Sequence, residues 1–340
     1  MRTFRRILGI VIVFALSVGI MSFLLTPPSG IRVLLKQAQE GDYDTLIMGQ
    51  SHAECGYNPY IISDGLDVNA VSVARRITPI NNIYYILQEA NLNKKYKTVI
   101  LDIDPYYWVL DQTRDLGTDM NLMPHLTGMR RYHYFREAVW PQRFVMLFCD
   151  YALTGENIAK IPNCVGAKLD SDYIANNDSA MNAVNKYLKS DTAFDYEGRG
   201  FLRGVNRAPD LAWAPTEFKG HVEDDNIYDL QRIKAYCDEN NIRLICTQSA
   251  LNPYRLRAQD MSVVHDYFTD LLGSMGIEFY DFNYAKSEYL YRTDEDYVDV
   301  DGHMMGNIAD RQSQLFVEVL KSDDKSQYFY NTYDEVLSNL

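Results

Sequence analysis

The chain is poor in the patterns from which metal and nucleotide sites are built. Its 340 residues hold five cysteines (Cys55, Cys149, Cys164, Cys237 and Cys246) and six histidines (His52, His125, His133, His221, His265 and His303). No CxxC pair occurs, which excludes a zinc ribbon or finger. No HxH or HExxH spacing sets two imidazoles on one helical face, so no metal is expected. Neither a Walker loop nor GxGxxG is present, so the chain is expected to use no nucleotide and no other cofactor. The scattered cysteines also exclude a disulfide-dense scaffold. Cys237 and Cys246 lie in apolar stretches and read as small core residues. A Cys149–Cys164 bridge is compatible with an oxidising space, and the odd count leaves at least one thiol unbridged in a monomer. The body of the chain has no block of lysine or arginine, and the formal net charge is −13. Such a surface repels phosphate backbones, which excludes nucleic acid as a partner.

One long apolar run is present. Arg2, Arg5 and Arg6 precede an uncharged stretch from Ile7 to Leu25. A bilayer core about 30 Å thick needs roughly 20 helical residues, and this stretch supplies them. Arginines before it and none just after predict an N-terminus held in the cytoplasm. Pro27-Pro28 ends the helix, because proline has no amide proton to donate. The run exceeds the roughly 7–15 apolar residues of a signal peptide, and no small-x-small cleavage site follows. Residues 1–28 therefore read as an uncleaved single-pass anchor in the cell membrane, with everything after Pro28 outside the cytoplasm.

The rest alternates between strand and helix patterns. Strands are predicted at Thr45–Met48, Val68–Val73, Thr98–Asp104, Arg243–Thr247 and Ile277–Phe282, and Thr98–Asp104 is apolar enough to be buried on both faces. Helical spacing marks Ile31–Glu40, Thr78–Ala90, Leu230–Asn240, Val263–Met275 and Asn307–Leu320, with Gly276 as a C-cap. Such alternation implies a parallel sheet between helical layers. Residues 29–322 are thus one α/β domain. Asp111 to His221 interrupts it, too long for a plain loop, and reads as an insertion with helices at Tyr134–Tyr151 and Asp178–Tyr187. Residues 323–340 form a polar, tyrosine-rich tail.

Two short segments could carry chemistry. Gly49-Gln50-Ser51-His52 follows the first strand, at the carboxyl edge where parallel sheets hold their ligands. Gly49 permits a tight turn into the next helix, and Ser51 is a nucleophile once a base takes its proton. Asp299-Val-Asp301-Gly-His303 stands before the last helix and supplies a histidine with candidate carboxylates on one loop. An aspartate beside a histidine fixes its tautomer and stabilises its imidazolium. Taken singly, Gly-x-Ser also fits an ordinary turn and Asp-Gly-His a solvated one. His52 reads as a helix-start residue or a ligand contact. Arg75-Arg76 fits an anion site or pairing with surface acids. Tyr106, Tyr107 and Trp108 fit packing or stacking on sugar faces. Asp102 and Asp104 are costly to bury alone, so one of them caps a loop or faces the site.

Together the segments resemble the SGNH (GDSL-like) hydrolase superfamily, and within it the membrane-anchored DltD-like and alginate-acetylation-like branch. The stretches that carry the likeness are Ile47-Met-Gly-Gln-Ser-His52, Val99-Ile-Leu-Asp-Ile-Asp104, Arg243-Leu-Ile-Cys-Thr247, Ile277-Glu-Phe-Tyr-Asp-Phe282 and Asp301-Gly-His303. They span about Asp44 to Leu320 apart from the central insertion. The resemblance implies a three-layer α/β/α fold around a parallel, flavodoxin-like sheet, behind the N-terminal transmembrane helix. It makes Ser51 the nucleophile and His303 the base. The family's Asp three residues before the His is Val300 here, so Asp301 is the first choice and Asp299 the second. The family's oxyanion Gly and Asn are missing: Ala74-Arg75-Arg76 follows the second strand and Pro105-Tyr106-Tyr107-Trp108 the third. The Ser51 amide remains as one donor, with Ala74 or Arg75 as the other. By the same resemblance the substrate is an acetyl or D-alanyl ester of a cell-wall polymer or glycan, and a membrane-bound O-acyltransferase is the natural partner. The displaced Asp and missing Asn also fit a catalytically inactive binding or assembly protein.

Overall fold

The computed structural model describes residues 2–25, 28–76, 78–105, 108, 122–139, 161–175, 179–188, 193–208, 218 and 222–340. It divides into two compact units, one of residues 1–33 with 114–190 and one of 34–113 with 191–340.

The first unit is helical. Helix α1 (Arg2–Leu25) is exposed along its length, and its Thr3–Leu24 segment is long and apolar enough to cross a membrane. Residues 30–33 open helix α2 (Gly30–Glu40). Further on stand α6 (Gly128–Tyr134), running into a π-turn at Phe135–Val139, then α7 (Ile161–Leu169), α8 (Ser171–Ala175) and α9 (Ala180–Leu188). Tyr173 ties this unit together: its hydroxyl accepts from the Ser29 amide at 3.2 Å, and its ring lies under the Arg32 guanidinium at 4.3 Å. Of the helix expected at Tyr134–Tyr151 only Tyr134–Val139 is described, as the last residue of α6 and its π-turn, while α9 covers most of the one expected at Asp178–Tyr187. Residues 140–160 and 176–178 lie outside the described residues, as do Cys149, Tyr106, Tyr107 and His221.

The second unit holds the sheet. Short runs of β-branched and apolar residues form β1 (Thr45–Met48), β2 (Ala70–Ser72), β3 (Thr98–Asp102), β6 (Arg243–Gln248) and β7 (Glu278–Asp281). They pair in parallel in the order β2-β1-β3-β6-β7. Numbered along this sheet alone the order is 2-1-3-4-5, that of doubly wound flavodoxin-like sheets. One face is covered by α3 (Ser51–Gly56), α4 (Pro59–Leu66) and α13 (Gly306–Lys321), whose Ala53, Tyr57, Ile62, Ile308 and Phe316 join Ile47, Ile100 and Ile245 in one core. The alternate residues Leu46, Met48, Val99, Leu101, Leu244 and Cys246 are buried as well. On that side α10 (Asp224–Glu239) packs on β6 and on α5 (Ile80–Ala90). Strands buried on both faces explain the near-continuous apolar runs. Helices α11 (Pro253–Ala258) and α12 (Ser262–Ser274) complete the links between β6 and β7.

Two parts depart from the expected organisation. Residues 194–204 form an antiparallel hairpin, β4 (Phe194–Gly198) with β5 (Phe201–Gly204), and it belongs to the sheet unit rather than to the insertion. Its turn lies on the sheet edge: the Ser72 amide donates to Arg199 O at 2.8 Å, and a side chain at Gly200 would strike Ser72 O. Arg203 then grips Asp310 on α13 with both guanidinium nitrogens, at 3.0 and 3.1 Å. The tail is also part of the fold. α14 (Tyr333–Ser338) buries Val336, and the Tyr333 hydroxyl donates to Leu256 O and Gln259 O. Its polar composition hid a segment anchored through tyrosine hydroxyls.

Candidate active site

The site lies at the carboxyl ends of β1 and β3, where the strand order reverses and open parallel sheets leave a crevice. Gly49 leaves β1 with φ +140°, a conformation that glycine alone adopts without strain. A Cβ there would also stand 2.9 Å from Ala53 Cβ and 3.0 Å from Asp102 O. The turn therefore requires glycine, and it delivers Ser51 as the first residue of α3. Ser51 is half-buried, and its hydroxyl makes no hydrogen bond among the described residues. The earliest helical bond of α3 runs from the Glu54 amide to Gln50 O at 2.9 Å, and Gln50 gives no side-chain cap. The amides of Ser51, His52 and Ala53 thus have no intrahelical acceptor.

His303 arrives on a loop before α13. Its Nδ1 meets Asp299 Oδ2 at 2.7 Å, while Asp299 Oδ1 accepts from the Gly302 and His303 amides at 3.1 and 3.2 Å. Gly302, at φ +97°, makes the tight turn that folds a carboxylate four residues away onto the ring. Burial pushes the Asp299 carboxyl up, but the hydrogen bond and charge of His303, with the charge of His52, bring it below the usual carboxylate value. His303 Nε2 makes no hydrogen bond among the described residues.

Asp301, the first choice for the third member, is a correction. Its carboxylate is half exposed and pairs with Arg255 at 3.2 Å, away from the His303 ring. Asp299 takes the place instead, because the left-handed turn at Gly302 shortens the path back. The oxyanion expectation also changes. The Ala74 amide donates to Ser72 Oγ at 3.2 Å and the Arg75 amide to Gly49 O at 3.3 Å, so both are engaged inside the fold. The Arg75 side chain is no free anion site either: it binds the buried Glu54 carboxylate at 2.6 Å. Arg76 adds its backbone amide to Glu54 at 3.2 Å. Trp108 is buried edge-on against Phe268 at 5.4 Å, which is its packing role.

His52 stands in the first turn of α3, as expected of a helix-start residue, but it does more than open the helix. It is buried, with Nδ1 2.7 Å from Asp104 Oδ2 and Nε2 3.0 Å from the Asp301 carbonyl oxygen. Its ring stacks on His303 with centroids 4.9 Å apart and planes 11° apart. The residue next to Ser51 is therefore in ring contact with the candidate base, although no hydrogen bond joins Ser51 to His303. Asp102, the other strand carboxylate, accepts from Ser249 Oγ at 2.8 Å, and burial pushes its pKa up to about 7.

Four further residues contribute, of which the sequence had singled out only Asp104, as one of two strand carboxylates expected to cap a loop or face the site. Asp104 is paired with His52 across the crevice. Asn252 donates to Asp299 O and Val300 O at 3.3 and 3.2 Å, holding the histidine loop against the end of β6. Arg255 adds a bond to Asp301 O. Phe194 of the hairpin meets His303 edge-on, with centroids 6.2 Å apart. An Asn-Pro helix start was the only available signal for Asn252, and nothing in the pattern pointed to Phe194. Among the described residues no three His, Cys, Asp or Glu side chains converge to hold a metal ion. No protein-family model matches the chain, and no curated protein matches it.

Proposed function

We propose that the chain is a membrane-anchored serine esterase or O-acyltransferase of SGNH type, with its α/β domain on the extracytoplasmic side. Its substrates would be acetyl or D-alanyl esters of a cell-wall polymer or exopolysaccharide, with a membrane-bound O-acyltransferase as partner. What supports this reading most is the His303–Asp299 pair: Nδ1 is held by a carboxylate, the ring is stacked on the residue after Ser51, and among the described residues neither His303 Nε2 nor the Ser51 hydroxyl has a hydrogen-bond partner.

In the reaction Ser51 Oγ attacks the ester carbonyl carbon while His303 Nε2 takes the hydroxyl proton. Asp299 keeps the other ring proton on Nδ1 and stabilises the imidazolium. The tetrahedral oxygen draws on the open first-turn amides of α3. The imidazolium then gives its proton to the departing alkoxide, leaving an acyl-serine. Water or a sugar hydroxyl accepts the acyl group in the reverse sequence. The sheet order supports the SGNH assignment, and the arginines before α1 support the orientation.

The test is a fluorophosphonate probe applied to the full-length protein in detergent micelles. Wild type is expected to label and Ser51→Ala to remain unlabelled, with hydrolysis of p-nitrophenyl acetate lost in parallel. Equal labelling or equal hydrolysis in the two proteins would refute the nucleophile. The engaged amides of Ala74 and Arg75 favour a second reading, a non-catalytic binding or assembly protein, and that is the reading such equality would leave.

A further inference from the structure

His52 has more bonds than a packing residue needs. Its two ring nitrogens face a carboxylate and a carbonyl oxygen, Asp104 Oδ2 at 2.7 Å and Asp301 O at 3.0 Å. A carbonyl oxygen and an ionised carboxylate only accept, so with Asp104 ionised both nitrogens donate, and a histidine that donates twice is an imidazolium. Carboxylates surround it: Asp104 and Asp102 on the β3 side, Asp299 and Asp301 on the histidine loop. Among the described residues, Arg255 of α11 and the stacked His303 ring also face it.

We propose that His52 is a positioning residue, a fixed imidazolium that latches the histidine loop to the serine turn and so sets the place of the His303 ring. This rests on the esterase reading of Ser51 and His303. One N–H holds Asp104 at the end of β3, and the other holds the loop through Asp301 O. The flat face between them is the surface on which His303 lies. Burial works against the charge, but the Asp104 charge and hydrogen bond, with Asp301, outweigh it and raise the His52 pKa to about 9. When the proton leaves, Nδ1 keeps its N–H toward Asp104. The Nε2 lone pair then faces the Asp301 carbonyl oxygen, and an attraction becomes a repulsion. The latch opens on the alkaline side.

The test uses the full-length protein in micelles, labelled with 15N at histidine. Both His52 nitrogens are expected to carry protons at pH 7 and to titrate near 9. Asp104→Asn is expected to lower that midpoint by at least about one unit. Fluorophosphonate labelling of Ser51, followed against pH, is expected to fall off near the same point in wild type and at lower pH in Asp104→Asn. A merely structural role would lower the rate equally at every pH. A neutral His52 at pH 7, or an alkaline limb that stays in place in the variant, would overturn the proposal. Should Asp104→Asn fail to fold, the wild-type nitrogen spectrum still decides the charge. A wild type that never reacts with the probe sinks the esterase reading, whereas a reactive wild type with neutral His52 sinks the latch alone.

Discussion

Two histidine–aspartate pairs lie against each other in this molecule, and their surroundings give them opposite uses. In both, an imidazole Nδ1 meets a carboxylate at 2.7 Å. The sheet-end pair, His52 with Asp104, has side chains 5% and 4% exposed, and its second nitrogen is bonded. The loop pair, His303 with Asp299, is 18% and 22% exposed, and its second nitrogen has no hydrogen-bond partner among the described residues. A base must be able to exchange a proton with a substrate, which requires an open nitrogen within reach of the crevice. A buried imidazole bonded on both sides cannot do so. The pairing alone therefore does not identify a catalytic histidine; the fate of the other nitrogen does.

The largest effect should come from the open nitrogen. His303→Gln is expected to slow labelling of Ser51 by about 10³-fold, within the 10²–10⁴ that general-base catalysis supplies. The measurement is the second-order rate with a fluorophosphonate, and a loss under tenfold would remove His303 from the mechanism. Next comes the alkaline stability of the buried pair. The folded pKa of His52, about 9, lies above the ordinary 6.5. Its contribution is then complete below pH 6.5 and lost as the pH rises through 9, a fall of about 3 kcal/mol by linkage. Urea unfolding at pH 6 and pH 9.5 reads it, and unchanged stability would mean that the ring is neutral. The loop pair acts with the opposite sign. Asp299 is held below the usual carboxylate value, so its contribution is present above that value and lost as the pH falls through the depressed one.

Asp299→Asn should slow labelling by about 10²-fold, because an amide no longer fixes the tautomer of His303. Asp301→Asn should change the rate less than about twofold, since its carboxylate holds only a half-exposed ion pair. A reversal of these two outcomes would return the third position to Asp301.

Much of this was legible in the chain itself. The five buried strands could be read because both faces are covered, which leaves runs of Val, Ile and Leu between polar turns. Ser51 and His303 stood out by their places beside a strand end and a final helix. The choice of carboxylate did not, because it turns on the backbone angle of Gly302, which residue spacing does not encode. His52 was legible as a helix start but not as a paired ring, because its partners, Asp104 and Asp301 O, are 52 and 249 residues away in sequence. The hairpin at 194–204 was hidden by its short, polar strands, whose exposed positions alternate only over Phe194–Gly198.

Those separations bear on how the molecule is made. Ser51 and His52 are synthesised early, and the ring that stacks on His52 comes some 250 residues later in the chain. Contacts so distant in sequence form late, after the chain entropy of closing a large loop has been overcome. On the proposed reading, the serine turn stands without its base until the segment from Asp299 to α13 has docked, and Ser51 cannot yet act as a nucleophile. The same docking covers Tyr57 and Ile62 with Phe316 and Ile308. If the proposed chemistry holds, completion of the core and onset of reactivity are one folding event, and a chain stalled before it would be both unstable and inert.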